Sequence, residues 1–246
     1  DKNRVEVISA FTIKGNIDAT TGNIKFPGSV MVGGDVMSGF YVMAGGEIKI
    51  IGSVEAALLT TDDDILIQGG VKGAGKAMLR TKKNIMASFI EQATILAVGE
   101  IRIKKALLRS RVKCNGKIQM ADDAKLIGGE VKTKLGLTVG ELGNPSGVPT
   151  KVIFGQDVLV EDQIEVEEKE IAKLQADLGK IATALTGAER LQDQAKKQEL
   201  FVEKVKLMKM MEKRNLRLFT LKERYEQHFD SEIVIKGTVY PGVVIE

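Results

Sequence analysis

The sequence predicts a mainly β protein: a single-stranded, three-faced β-helix interrupted by an inserted antiparallel α-helical coiled-coil hairpin. Three observations lead there. Isoleucine and valine recur every six residues at Ile24, Val30, Val36, Val42, Ile48 and Val54. A larger unit of two apolar residues flanking one variable position recurs about every three such steps, with second members Val32, Ile50, Ile67, Ile103, Met120 and Val139. The composition then changes abruptly to a proline-free, Lys/Glu/Leu-rich stretch from about Glu161 to Asp230. Fixed-period self-similarity of this kind is the mark of a solenoid.

A six-residue step fits neither a helix nor a hairpin sheet. Three short strands per turn, joined by tight corners, place one inward apolar side chain on each face. One turn cannot bury its apolar positions, whereas stacked turns bury them as an axial core. The larger steps are 18, 17, 36, 17 and 19 residues, and the double one implies a degenerate turn near Ile85. The 26 glycines against four prolines suit positive-φ corners. A narrow prism has room for Val, Ile, Leu and Met but little for Trp, which the chain lacks.

Three segments are expected. Residues 1–157 carry the turns, with a looser corner at Gly143–Pro149 before a last strand at Lys151–Phe154. Residues 158–230 form the hairpin. Its first apolar stripe is Ile171, Leu174, Leu178, Ile181 and Leu185; Thr186-Gly187 interrupts the pattern, and the unequal arms imply either a break of several residues up to about Gln194 or one frayed arm. The second stripe is Phe201, Val205, Met208, Met211, Leu218, Leu221 and Tyr225, with Asn215 on the seam. Arms of about 25–38 residues reach about 40–55 Å at 1.5 Å per residue. Residues 231–246 revert to the turn motif: Phe11-Thr-Ile13-Lys-Gly15 is nearly copied by Ile233-Val-Ile235-Lys-Gly237. They are expected to rejoin the solenoid near Phe154, capping or extending its last turn, with Ile233 and Val239 buried.

Composition excludes several classes. The net charge of +3 gives no strong field for nucleic acid. One cysteine, Cys114, forbids an internal disulfide framework. No run of eighteen apolar residues is present, so no membrane insertion is expected, and a cytoplasmic location is the default. The chain starts at Asp1 without an initiator methionine or a secretory pattern, so a piece of a longer or processed protein is expected.

Chemical candidates reduce to structural readings. Asp62-Asp63-Asp64 and Asp122-Asp123 lack calcium-loop spacing and read as solvated corners. Acids fall in corners while outward strand positions are mostly Lys, Arg or Gln, so the paired carboxylates of a β-helix carbohydrate-active enzyme are not found. The single histidine, His228, lies at a helix end and not on a coil, which argues against a hexapeptide-type acyltransferase. Cys114 beside Asn115-Gly116 reads as a structural thiol. Gly73-Ala-Gly75-Lys76 lacks the hydroxyl and context of a phosphate loop and reads as a corner. The chain is therefore expected not to be an enzyme and to need no cofactor or metal.

Two features point to protein partners. Arg102, Lys104, Lys105, Arg109, Arg111 and Lys113 form a local positive band, several of which strand alternation would place on one outer face. The run Leu207-Met208-Lys209-Met210-Met211 offers flexible thioethers suited to an adaptable surface. The candidate partner surface is Arg102, Lys104, Arg109, Arg111, Lys113, Met208, Met210 and Met211.

Gly15-Asn-Ile-Asp18-Ala-Thr-Thr-Gly22-Asn-Ile24-Lys-Phe26-Pro27-Gly28-Ser-Val30 resembles the signature of the bacterial flagellar assembly protein A family. Gly33-Gly34-Asp35-Val36, Gly39-Phe40, Ser88-Phe89-Ile90-Glu91, Ile127-Gly128-Gly129 and Val239-Tyr240-Pro241-Gly242 are similar to the same pattern. The resemblance spans nearly the whole chain. It implies a right-handed β-helix with a coiled-coil insertion, a hand that parallel crossovers also favour. It implies a role in flagellar assembly and brings no catalytic or ligand residues. The implied function is a structural scaffold or interaction module presenting a rigid β-helix and a helical arm. The implied partners are flagellar or polar-localisation components, with a homo-oligomer as a further option. The alternative is a bactofilin-like self-assembling filament of β-helices stacked end to end.

Overall fold

The computed structural model describes residues 10–227 and 229–246. The chain divides into two compact units: residues 1–158 with 229–246, and residues 159–228. The first is a β-solenoid of about 8 turns. All its strand pairings are parallel.

Three stacked faces account for every strand. The first face runs from Ala10–Ile13 through Ser29–Val32, Ile48–Ile50 and Ile65–Ile67 to Ile118–Met120 and Gly136–Val139. The third runs from Ile24–Phe26 through Tyr41–Ala44 and Leu58–Thr61 to Thr150–Phe154. Between them lies a short second face, reduced in the early turns to single bridges at Ile17, Val36, Val54 and Val71. In the middle turns the chain rounds its corners without leaving extended geometry, so Ile85–Ala97 and Ile101–Cys114 each cover all three faces.

The six-residue series is one inward residue from each face in turn: Ile24, Val30, Val36, Val42, Ile48 and Val54 all belong to the core. The expectation of one inward side chain per face holds only for the short second face. The first face is long enough for two, as at Val30/Val32 and Ile48/Ile50. The third carries an aliphatic residue plus a small or hydroxylated one, as at Leu59/Thr61 and Leu79/Thr81. The degenerate turn is Ile85-Met86-Ala87, where Ala87 takes the position held elsewhere by Ile, Val or Met.

Part of the third face forms a hydroxyl ladder. Thr61, Thr81, Ala97, Cys114 and Thr133 stack in register. Thr61 and Thr81 donate to the carbonyls of Gly46 and Asp63. The Thr133 hydroxyl donates to Gly116 at 2.9 Å, and the Cys114 thiol to Gly99 at 3.1 Å. Each closes a corner carbonyl that faces the interior, where an unmet polar group is costly.

The C-terminal segment is the last turn of the same solenoid. Glu232–Ile235 pairs with Gly136–Val139, and Val243–Ile245 with Thr150–Phe154. Ile233 packs against the core. Val239 bridges Leu142 yet stays 50% exposed, against the expectation of burial. The cause is position: this turn has a neighbour on one side only, which leaves Ile245 exposed as well although its register partner Val152 is buried, while Val244 follows Lys151 on the outward side. The segment extends the stack and does not cap it.

The second unit is a helical hairpin. Helix α1 spans Val158–Arg190 and helix α2 spans Gln194–Glu226, 33 residues each, or about 50 Å at 1.5 Å per residue. Helix α1 runs on through Thr186-Gly187, where the break was expected to begin, and the chain turns at 191–193, within the expected range up to Gln194. Glycine inside a helix costs only about 1 kcal/mol, and Thr186 bonds back to the Ala182 carbonyl within the helix. The turn is made by Gln192 at φ 52 and by Asp193, whose carboxylate caps α2 through Lys196 N–H at 3.0 Å.

Candidate interaction surfaces

The solenoid distributes the basic band around its perimeter. Arg102 lies on the first face beside Met86 and Gln119 and is paired with Glu100 at 2.7 Å. Lys104 and Lys105 sit at the following corner, where the register shifts. Arg109 occupies the next corner with φ 45. Arg111 and Lys113 share the third face, Arg111 beside Glu130 and Lys113 beside Lys132. The expected grouping of several on one face is therefore limited to the last two, because this strand turns two corners within 14 residues. One shallow groove on the first face brings Arg102 and Lys104 beside Met86 and Met120, and a second brings Lys104 beside Met86 and Lys49.

Arg109 belongs to a column of left-handed corners. Gln92, Arg109 and Gly128 have φ of 49, 45 and 70 at successive turns. The side chain of Arg109 is exposed, and its backbone holds the corner.

The corner acids are committed to the stack. Asp62 and Asp63 bind Lys82 and Lys83 of the next turn at 2.8 Å each. The Lys83 ammonium holds the Asp63 carboxyl below the usual carboxylate range. Asp64 accepts from Asn84 N–H at 2.9 Å, and Asp122 pairs with Lys236 at 2.6 Å. Among the described residues no three His, Cys, Asp or Glu side chains converge to hold a metal. Gly73–Lys76 makes a corner, with Ala74 and Gly75 at positive φ. Cys114 is buried, and burial pushes its thiol up to about 12. His228 lies outside the described residues.

Sequence periodicity missed the junction where the chain leaves and re-enters the first unit. Asp157, 0% exposed, accepts from Asn115 Nδ2 at 2.7 Å and faces Lys134 Nζ at 3.4 Å. The same ammonium lies 3.7 Å over the ring of Phe229, and Phe229 N–H donates to the Gly155 carbonyl at 3.0 Å. A buried carboxylate, one cation and one aromatic ring thus tie the outgoing and returning strands together. These four residues are far apart in sequence and follow no period, so only the folded chain reveals them.

Within the hairpin, α1 presents Ile171, Leu174, Ile181 and Ala188 to the seam. Glu167, 3% exposed, meets Arg214 at 2.9 Å and Arg217 at 3.2 Å, and Glu168 meets Lys222 at 2.7 Å. These cross-helix pairs fix the antiparallel register.

The second stripe read from sequence is split by the structure. Met211, Leu218, Leu221 and Tyr225 are buried or half-buried on the seam, together with Leu207 and Arg214. Phe201, Val205 and Met208 are 55%, 36% and 48% exposed, and Asn215 is exposed with them. Two successive three-residue steps, Val205 to Met208 to Met211, rotate the stripe backwards around the helix. Its two halves therefore lie on neighbouring faces. Of the methionines proposed from sequence, Met208 and Met210 are exposed and Met211 is half-buried.

A parallel three-faced solenoid carrying a long helical hairpin between its last two turns defines the class of protein. Residues 9–246 match the family model described as FapA, the flagellar assembly protein A beta solenoid domain, and the chain belongs to that family. No curated protein and no solved structure matches it. Among the described residues, no helix is long and apolar enough to cross a membrane.

Proposed function

We propose that this chain is a non-enzymatic, cytoplasmic scaffold of flagellar assembly that presents a stiff solenoid surface and a helical hairpin to protein partners. The family supports the setting. The observation that carries the interaction role is the outward face of α2, where Phe201, Val202, Val205, Met208, Leu216 and Phe219 are exposed on a helix whose other seam is already packed. Large exposed apolar patches rimmed by polar residues mark interaction sites. The test is replacement of residues 165–225 by a short linker in a flagellated host. The far-UV circular dichroism of the purified solenoid is expected to persist while flagellation is lost. Normal flagella from the deleted chain overturn the reading.

A second reading, the end-stacked filament, is favoured by one observation. The last turn leaves Val239, Val244 and Ile245 exposed beside unpaired strand edges, and such edges template association. Electron microscopy and sedimentation of the purified chain decide it. Long polymers that Val244→Lys disperses support the filament, and a discrete species removes it.

A further inference from the structure

We propose that the outward face of α2 is the docking seam for an acidic amphipathic helix of a partner protein. This deepens the scaffold reading and rests on it. Residues Phe201, Val205, Met208, Glu212, Asn215 and Phe219 follow one another at steps of 4, 3, 4, 3 and 4, which is the spacing of a coiled-coil seam. A separate seam of the same spacing, Lys204, Leu207, Met211, Arg214, Leu218, Leu221 and Tyr225, is the one less exposed to solvent. Two adjacent seams on one helix are the pattern of a bundle of three or more helices, whereas a two-helix hairpin needs one. Val205, Met208, Lys209, Met211, Glu212 and Asn215 line a shallow groove of about 500 Å³ along this face.

Charge selects the occupant. Lys206, Lys209 and Lys213 border the outer seam on its solvent side, all exposed. Among the described residues they form no ion pair, whereas Lys197, Arg214, Arg217 and Lys222 are paired with acids of α1. The free rim is thus basic from Lys206 to Lys213, with Glu199 and Glu223 only toward its ends, and this central stretch complements a helix with acidic flanks. A second copy docked α2 to α2 sets the same lysines against each other. An anionic bilayer matches the lysines but must bury Glu212 and Asn215 at the centre of the stripe. Within a coiled coil such polar seam residues fix register, whereas in hydrocarbon an ionised group is costly.

The test uses the whole chain and a designed helical peptide with a leucine seam and glutamate flanks, beside a lysine-flanked control and phosphatidylglycerol vesicles. Fluorescence anisotropy is expected to show micromolar binding of the acidic peptide only, weakening as salt rises. Val205→Glu with Met208→Glu is expected to weaken it at least about tenfold, and Lys209→Glu with Lys213→Glu to transfer preference to the lysine-flanked peptide. Val166→Glu, on the exposed side of α1, leaves binding unchanged, and circular dichroism confirms helix content in each variant. Absence of peptide binding overturns the proposal. So do vesicle binding in its place, or a dimer of the chain that the Met208→Glu variant dissolves. If flagellation is lost on hairpin deletion but survives the Lys209→Glu/Lys213→Glu and Val205→Glu/Met208→Glu changes, the scaffold reading stands and this seam fails.

Discussion

Substituting two neighbouring corner positions is expected to move stability in opposite directions. Arg109 holds φ 45 with its side chain exposed. A non-glycine residue there bears about 1–2 kcal/mol of steric cost. Arg109→Gly removes that cost and adds about 0.4–1 kcal/mol of unfolded-chain entropy, so the net gain is about 0.5–1 kcal/mol. Gly129, one turn on, has φ 88, and a Cβ there lies 2.2 Å from the Ser110 carbonyl oxygen. That oxygen belongs to backbone paired in register with Gly129 itself, so it cannot move without opening the ladder. Left-handed strain plus overpacking of about 1–3 kcal/mol makes Gly129→Ala a loss of about 3 kcal/mol. Urea unfolding followed by far-UV circular dichroism measures both, provided the m-value is unchanged. A loss above about 1 kcal/mol for Arg109→Gly refutes the corner argument, because the side chain is then a contact and not a burden. Wild-type stability of Gly129→Ala refutes the close approach of the two turns.

Other outcomes follow from the same geometry. Cys114 is expected to resist alkylation in the native protein and to react at the rate of unfolding, as mass spectrometry of iodoacetamide-treated samples can show. Its thiol is raised from 9.0 to about 12 in the fold. The unfolded thiol therefore ionises first, and the stability from this group is full below pH 9 and declines from there toward pH 12. Cys114→Thr keeps a donor toward Gly99, as Thr133 does toward Gly116, and is expected to fall within about 1 kcal/mol of wild type. Glu167→Ala leaves Arg214 and Arg217 without their shared carboxylate and is expected to lower the melting temperature, with a cost of about 1–3 kcal/mol. Asp63, held low by Lys83, contributes stability present above the ordinary carboxylate range and lost as pH falls through its lowered value. Lys83→Met is therefore expected to flatten the acid limb of the stability profile.

The solenoid was legible because isoleucine and valine recur every six residues from Ile24 to Val54, and all six of these residues belong to the core. The hidden parts depend on contacts without period. Ala87 masks a turn because a small residue fills a position that its neighbours can close around. Gln92 and Arg109 occupy left-handed corners that glycine marks at Gly128, so glycine counting undershoots. The Asp157–Lys134–Phe229 junction joins distant segments through single residues. In α2 the apolar residues were visible, but their division between two faces required the angular position of each residue around a continuous helix. Val239 was assigned to the core by motif, and its exposure follows from its place at the end of the stack.

The central claim is that residues 231–246 complete the solenoid after the helical insertion, and nitroxide labels at Thr138 and Val234 test it most directly. These residues are register partners on adjacent strands, which lie about 4.8 Å apart in a sheet. In a Cys114→Thr background, strong dipolar broadening of the electron paramagnetic resonance spectrum is expected in the doubly labelled monomer. A spectrum equal to the sum of the two single labels contradicts the shared solenoid.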